Sequence, residues 1–355
     1  MRATQLFLFC SVFLSLIVFH PWSTEGVTRY VDDDSTDPQP PYTNAAHAAV
    51  TIQDAVDLSS AGDVVLVADG LYDKGGRAVE GTFTNRVAIG PMITVKSVNG
   101  PDLTIIEGRG PLGDSAVRGV YVGDHAVLSG FTITNGFTQE TDDYGSHAGF
   151  GGGLYCESTG VASNCIVSAC AASLMGGGAY GGTLYNCTIT DNECAHFAGG
   201  VAYTTVHNSN ISGNVADSAG GARESVLYGS RIFQNVARMG GGASACTLTG
   251  CTMSENEARS GGGGAYGCLM RNCALRRNRA GLGGAAEAST LENCTVTGNI
   301  AAGLAGGIIN STARNCIIYY NTASAAANHW RSSLHYCCTT DPVSGLGNIT
   351  KDPVL

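Results

Sequence analysis

The sequence predicts an all-β fold, a single-stranded parallel β-helix (β-solenoid) of roughly ten coils, about 50 Å long at the spacing of hydrogen-bonded strands. Three observations predict it. From about residue 151 an aliphatic side chain stands three places before an asparagine every 21 or 22 residues: Ile189/Asn192, Ile211/Asn214, Ile232/Asn235, Met253/Asn256, Leu275/Asn278, Val296/Asn299 and Ile318/Asn321. Around each pair, positions two apart keep their type while those between them vary, the period of a strand with one buried face. Each unit also carries a glycine doublet, from Gly177-Gly178 to Gly306-Gly307. Glycine at a fixed place suits a bend with positive φ or a close approach of backbones between layers. Units this short are too small for helical hairpins and fit one coil of a solenoid.

In chain order, residues 1–26 read as a secretory signal, with Arg2 before an apolar run from Leu6 to Phe19, broken by Pro21. The run is short for a membrane span and is not repeated, so no transmembrane segment is expected once the signal is removed. A secreted or cell-surface location follows. Residues 27–150 form an N-terminal cap and the first coils. Within them, Thr51–Ser60 reads as a short amphipathic helix with Ile52, Ala55 and Val56 on one side, covering strand edges that would otherwise invite aggregation. Buried strands are expected at 64–67, 93–98, 103–106, 117–122 and 126–134. Residues 137–150 are an acidic insertion between coils. Residues 151–355 are the regular repeats, and the last coil, around His335–Cys338, has no covering helix.

Stacking turns each repeated position into a column. The asparagines can bond along the axis as amide ladders do. Cys165, Cys187, Cys251, Cys273, Cys294 and Cys316 share an inward column with Ser209 and Ser230, where cysteine behaves as a small apolar residue. No Cys-x-x-Cys pair points to zinc, and the stacked thiols are expected to stay reduced. Asn-x-Ser/Thr triplets at Asn186, Asn210, Asn293, Asn310 and Asn348 read as turn and ladder residues. The net charge of −10 resides wholly in residues 1–150, with 18 acids against 8 bases. That balance excludes a nucleic-acid partner. No aspartate follows the glycine doublets in the way a calcium-binding nonapeptide repeat requires.

Tyr30-Val31-Asp32, Thr51-Ile52-Gln53-Asp54-Ala55-Val56, Ala61-Gly62-Asp63 and Asp69-Gly70-Leu71-Tyr72 resemble the N-terminal cap of secreted pectin-lyase-like β-helix proteins. Leu128 to Gly136 resembles the first regular coil of that group. The Gly-Gly-Ala and aliphatic-x-x-Asn repeats are similar to those of polymorphic outer-membrane proteins, a family of exported adhesins. The resemblance spans most of residues 30–355 and implies a right-handed helix. It also implies two kinds of function: adhesion at a surface, or cleavage of acidic polysaccharide by a lyase or hydrolase.

Hydrolases of this kind set carboxylic acids on successive coils across the scissile bond. Here Asp142-Asp143, with Glu140 before and His147 after, is the only tandem acid pair in the body of the repeats, and it sits in a loop. Pectate lyases pair calcium with an arginine base. Arg109-Gly110-Pro111 echoes their arginine-proline motif without its second arginine, and Arg276 and Arg277 belong to a basic cluster with Arg271 and Arg279. Arg277 falls over Glu255 in register, so a surface ion pair accounts for it. Asp32, Asp33 and Asp34 offer oxygen ligands to calcium; the other reading is a frayed polar segment. No convergent acid, base and metal set emerges. The preferred reading is an exported, non-catalytic surface or adhesive protein contacting polysaccharide. A polysaccharide lyase or hydrolase is the alternative, with a sugar-binding module as a third class.

Overall fold

A computed structural model describes residues 26–79, 81–340 and 344–354. The signal assigned to residues 1–26 lies outside them but for Gly26. The chain winds as a right-handed parallel β-solenoid whose strands stack into four sheets. Sheet A has thirteen strands, sheets B and C twelve each, and sheet D seven. One coil passes through them in the order A, B, D, C, as in Thr183–Tyr185, Thr188–Thr190, Glu193–Phe197 and Val201–Ala202. The stack exceeds the ten coils expected, because irregular N-terminal coils pair in register with the repeats.

The columns read from the sequence are the interior. Ile189, Ile211, Ile232, Met253, Leu275, Val296 and Ile318 lie over one another in sheet B, each wholly buried. Leu184, Val206, Leu227, Leu248 and Met270 face them from sheet A. Hydrogen-bonded ladders run along the corners, the asparagines between sheets B and D. Asn235 Nδ2 donates to Ile211 O in the coil before (2.9 Å) and to Asn256 Oδ1 in the coil after (3.0 Å), while its own Oδ1 accepts from the Asn214 backbone N–H (3.0 Å). The same pattern runs from Asn192 to Asn321, where Asn328 supplies the last acceptor. All thirteen described cysteines are free and buried. Burial pushes the Cys170 thiol up to about 12.

Two features were not read from the spacing. A second polar column, Thr204, Ser225, Cys246, Cys268, Ser289 and Ser311, joins sheets C and A, each backbone N–H donating to the side chain one coil on. The variable position before each asparagine is also a tight corner in the left-handed region: Asp191, Gln234, Glu255, Arg277 and Tyr320 all have φ between 55 and 58°. That position is free in charge and size but holds no β-branched residue, the type for which a positive φ is most costly. The doublets work by close approach. A Cβ on Gly221 would sit 2.4 Å from Gly242 O and 3.1 Å from the Asn235 amide carbon.

At the N-terminal end, α1 (Ile52–Asp57) starts at Thr51, whose hydroxyl accepts from Asp54 N, and buries Ile52, Gln53, Ala55 and Val56. Gln53 stands in for a missing strand: its Oε1 accepts from Ala88 N (2.7 Å) and its Nε2 donates to Ala88 O (3.3 Å). Asp63 joins the cap to the first coil, accepting from Val27 N, Ser60 N and the buried Arg29 guanidinium at 2.6–2.8 Å. Burial raises the Asp63 pKa, but the two amides and Arg29 outweigh it and hold the carboxyl below the usual range. The resulting stabilisation is complete above the ordinary carboxylate pKa, about 3.9, and fades as the pH falls through the lower folded value. Wild-type protein is therefore expected to lose more thermal stability between pH 5 and pH 2 than Asp63→Asn, measured by circular dichroism. Parallel losses would remove Asp63 as a source of acid sensitivity.

Two expectations are corrected. The acidic run is not frayed: Asp33 Oδ2 accepts from Leu71 N (3.0 Å) and Asp32 Oδ1 from Asp34 N (3.1 Å), tying the turn to the next coil. The C-terminal end is not bare: residues 344–354 fold back on the last coil. Asn348 Oδ1 accepts from Cys337 N (2.9 Å) as the next rung of the Cys/Ser ladder, and Ile349 exchanges backbone bonds with Cys337 and Thr339.

Candidate functional site

The candidate site lies on sheet C. Its outward column places Tyr121, Tyr155 and Tyr180 in register on successive coils. Their rings stack at 5.7 Å and 5.4 Å, within 16° of parallel. Stacked along the axis, the rings cover one another's faces and turn their edges outward. The acidic insertion leaves the coil between Thr132–Thr134 in sheet B and Leu154–Cys156 in sheet C, and folds back over this column. Opposite it stands the hairpin formed by Arg77–Ala78 and Thr84–Ile89. Between the two lies a cavity of about 250 Å³, with Phe83, Arg118, Tyr121, Gln139, His147 and Tyr155 among its walls.

Arg118 is the floor, only 3% exposed. Its Nε donates to Gly151 O, Nη1 to Asn85 Oδ1, and Nη2 to His147 O and Phe150 O, all at 2.6–3.0 Å. Its guanidinium lies over the rings of Phe83 (4.6 Å) and Tyr155 (5.0 Å). Arg118 thus locks the insertion onto the sheet. The Tyr121 hydroxyl donates to Glu157 Oε1 (2.7 Å), and the His147 ring packs 5.1 Å from Tyr155. A phenol bonded to a carboxylate, with an imidazole on the same cavity, supplies groups of the kind that general acid–base catalysis uses. A second cavity, of about 660 Å³, adjoins the first: Tyr121 and Val79 line both, and Asp57, Arg77 and Asp124 border the second.

The residues singled out from the sequence are dispersed. Of the insertion's candidates only His147 lines the cavity. Glu140, Asp142 and Asp143 are exposed, and Asp143 accepts from Gly145 N within its own turn. Arg276 and Arg277 lie on the exposed side of sheet B, well along the repeats, with Arg277 3.9 Å from Glu255. Arg109 donates to Ser115 O. Asp32, Asp33 and Asp34 are occupied by their turn, and among the described residues no three histidine, cysteine or acidic side chains are grouped to hold a metal ion. Far from this cavity, the Tyr320 hydroxyl donates to Asp352 of the C-terminal segment.

Sequence reasoning missed Arg118, Tyr121, Tyr155 and Glu157. The signal was present: a tyrosine follows the doublet by two places in Gly152-Gly153-Leu154-Tyr155, Gly177-Gly178-Ala179-Tyr180 and Gly263-Gly264-Ala265-Tyr266. The early coils are irregular in length, however, and a search for constant spacing passes over them.

No family model matches the sequence, and no curated protein is similar to it. Among solved structures, the chain is similar to XylC in complex with xylose, at a TM-score of 0.50 and 9% identity over 92% of this chain and 87% of that one. It is also similar to the A-module of the mannuronan C-5 epimerase AlgE4 from Azotobacter vinelandii (TM-score 0.47, 13% identity, 90% and 94% covered). A third is pectate lyase Pel9A (TM-score 0.34, 13% identity, 91% and 78% covered). At these identities the likeness is one of fold, the parallel β-helix of pectin-lyase-like proteins. No helix among the described residues is long and apolar enough to cross a membrane.

Proposed function

We propose that this is an exported protein that binds polysaccharide on sheet C and cleaves it in the cavity beneath the 137–150 insertion, as a lyase or hydrolase. One observation carries the reading: Tyr121, whose hydroxyl is bonded to Glu157, lines one cavity together with Tyr155 and with His147 of the insertion. The comparison with XylC supports it only through the fold. Rings and hydroxyls hold the sugar, Arg118 fixes the walls, and the Tyr121–Glu157 pair and His147 move protons. The test is a screen of purified protein against acidic and neutral polysaccharides, with and without calcium, reading new reducing ends and the ultraviolet absorbance of unsaturated products. Tyr121→Phe and His147→Ala are each expected to lower turnover about 100-fold, and Asp142→Asn with Asp143→Asn to leave it unchanged. Loss confined to the aspartate variant would move the chemistry into the insertion.

A second reading, a non-catalytic adhesive surface protein, is favoured by the outer column of sheet C beyond Tyr180. There Ala202, Arg223, Ser244, Tyr266, Glu287 and Ile309 follow one another in register along the repeats. Binding without product from any glycan would select it.

A further inference from the structure

The two adjoining cavities on sheet C form one cleft, and its electrostatics bear on which sugar it takes. Among the described residues that line it, the fixed cations are Arg118 and Arg77. Arg118 is buried, and four donor contacts already tie it to three backbone carbonyls and Asn85. Arg77 is paired with Asp57 at 2.5 Å. Arg118 has no open fork to clamp a carboxylate, and the charge of the exposed Arg77, held through Nη1, is balanced by Asp57. What the cleft offers instead is acceptors and apolar rings. Asp124 is exposed and takes one hydrogen bond, from the Thr159 hydroxyl (2.8 Å), and Glu157 takes the Tyr121 hydroxyl. Gln139, Phe83 and the Tyr121 and Tyr155 rings complete the wall. Glu140, Asp142 and Asp143 stand on the insertion above, in the half of the chain that holds the whole net negative charge. A polyuronate would bring carboxylates to an acidic rim whose exposed arginine is already balanced by Asp57. A neutral sugar meets the same groups as hydroxyl acceptors and apolar ring edges.

Resting on the proposed polysaccharide site, we infer that the cleft takes an uncharged, hydroxyl-rich glycan, and that the reaction there is hydrolysis. Eliminative cleavage needs the carboxylate of a uronic acid to acidify the adjacent ring proton, and a neutral sugar lacks it. In hydrolysis the glycosidic C1–O bond breaks, a water oxygen bonds to C1, one water proton goes to the leaving oxygen and the other remains on the new C1 hydroxyl. Asp124, which lines the cleft, and Glu157, which accepts from the Tyr121 hydroxyl, both follow Tyr121 in register and are the carboxylates that would handle those protons.

The experiment is calorimetric titration of the full chain with neutral β-1,4-linked hexasaccharides of xylose or glucose, a hexagalacturonate, and a glucosamine hexamer. Each is run at low and high salt, with and without calcium. The expected result is binding of a neutral hexamer that changes less than about twofold with salt, since no ion pair is made. Hexagalacturonate is expected to bind at least tenfold more weakly, with Asp124→Asn narrowing the gap. Tighter binding of the uronate or the amino sugar, weakening with salt, would overturn this inference and leave the polysaccharide site standing. Binding of none of the sugars would sink the site itself. Reducing ends without ultraviolet-absorbing products are expected from a neutral polymer; unsaturated products from any substrate would refute hydrolysis.

Discussion

Replacing Ile232 with aspartate will collapse the coil around it. Ile232 is wholly buried between Ile211 and Met253, and an aspartate there has aliphatic side chains above and below and no cation to pair with. The cost is on the order of 5 kcal/mol, at the extreme of what single substitutions do. The variant is expected to be insoluble or to melt far below the wild type by circular dichroism. Two places on, Gln234 is exposed at a left-handed corner, φ 56°. Gln234→Ala should leave the melting temperature almost unchanged. Gln234→Val should cost about 1–2 kcal/mol of stability and lower the melting temperature, because the branched side chain resists the corner, and Gln234→Gly should hold or raise it. Equal melting for Ile232→Asp and Gln234→Ala would mean that the faces are assigned wrongly.

Asn235→Ala is the second large effect. Removing the amide strips the acceptor from the Asn214 backbone N–H and side chain, and the donor from Ile211 O and Asn256 Oδ1. Asn214 and Asn256 are wholly buried, and Gly221 packs against the amide so closely that water has little room to replace it. Asn256 Oδ1 keeps the Asn235 N–H and Asn214 Nδ2 keeps Ile189 O, so two groups are left short at about 1–3 kcal/mol each, a sum on the order of 2–6 kcal/mol. Asn235→Asp should be no better, since a carboxylate keeps the acceptor but sets it against Asn256 Oδ1. Hydrogen exchange will locate the damage. Amides of the coils containing Asn214 and Asn256 are expected to lose protection, while those around Ile106 and Ile318 keep theirs, as nearest-neighbour stacking requires. Uniform loss along the chain would show that the solenoid unfolds as one unit.

The parts of the fold that could be read in advance are those where one residue type is repeated in one environment. The Ile232 and Asn235 columns are legible because stacking imposes the same surroundings in every coil. The corners are not, since positive φ selects only against branching and so leaves Asp191, Gln234, Arg277 and Tyr320 looking like free surface. The site is less legible still. Tyr121, Glu157 and His147 meet because coils of unequal length bring distant segments into register, and His147 reaches the cavity only through backbone contacts that Arg118 makes. The tandem acids Asp142-Asp143 drew attention by composition, yet they point into a turn.

The amide ladder has a direction. From amide to amide, every rung donates to the coil that follows and accepts from the coil before, so each interior coil presents the same two faces. A whole repeat can therefore be copied or excised between Ser209 and Cys316 and the cut surfaces will still match, in steps of one strand spacing. The cleft lies entirely upstream of that stretch. Length and chemistry are thus separately inherited in this molecule: the number of repeats can drift like the links of a chain while the walls around Tyr121 stay as they are.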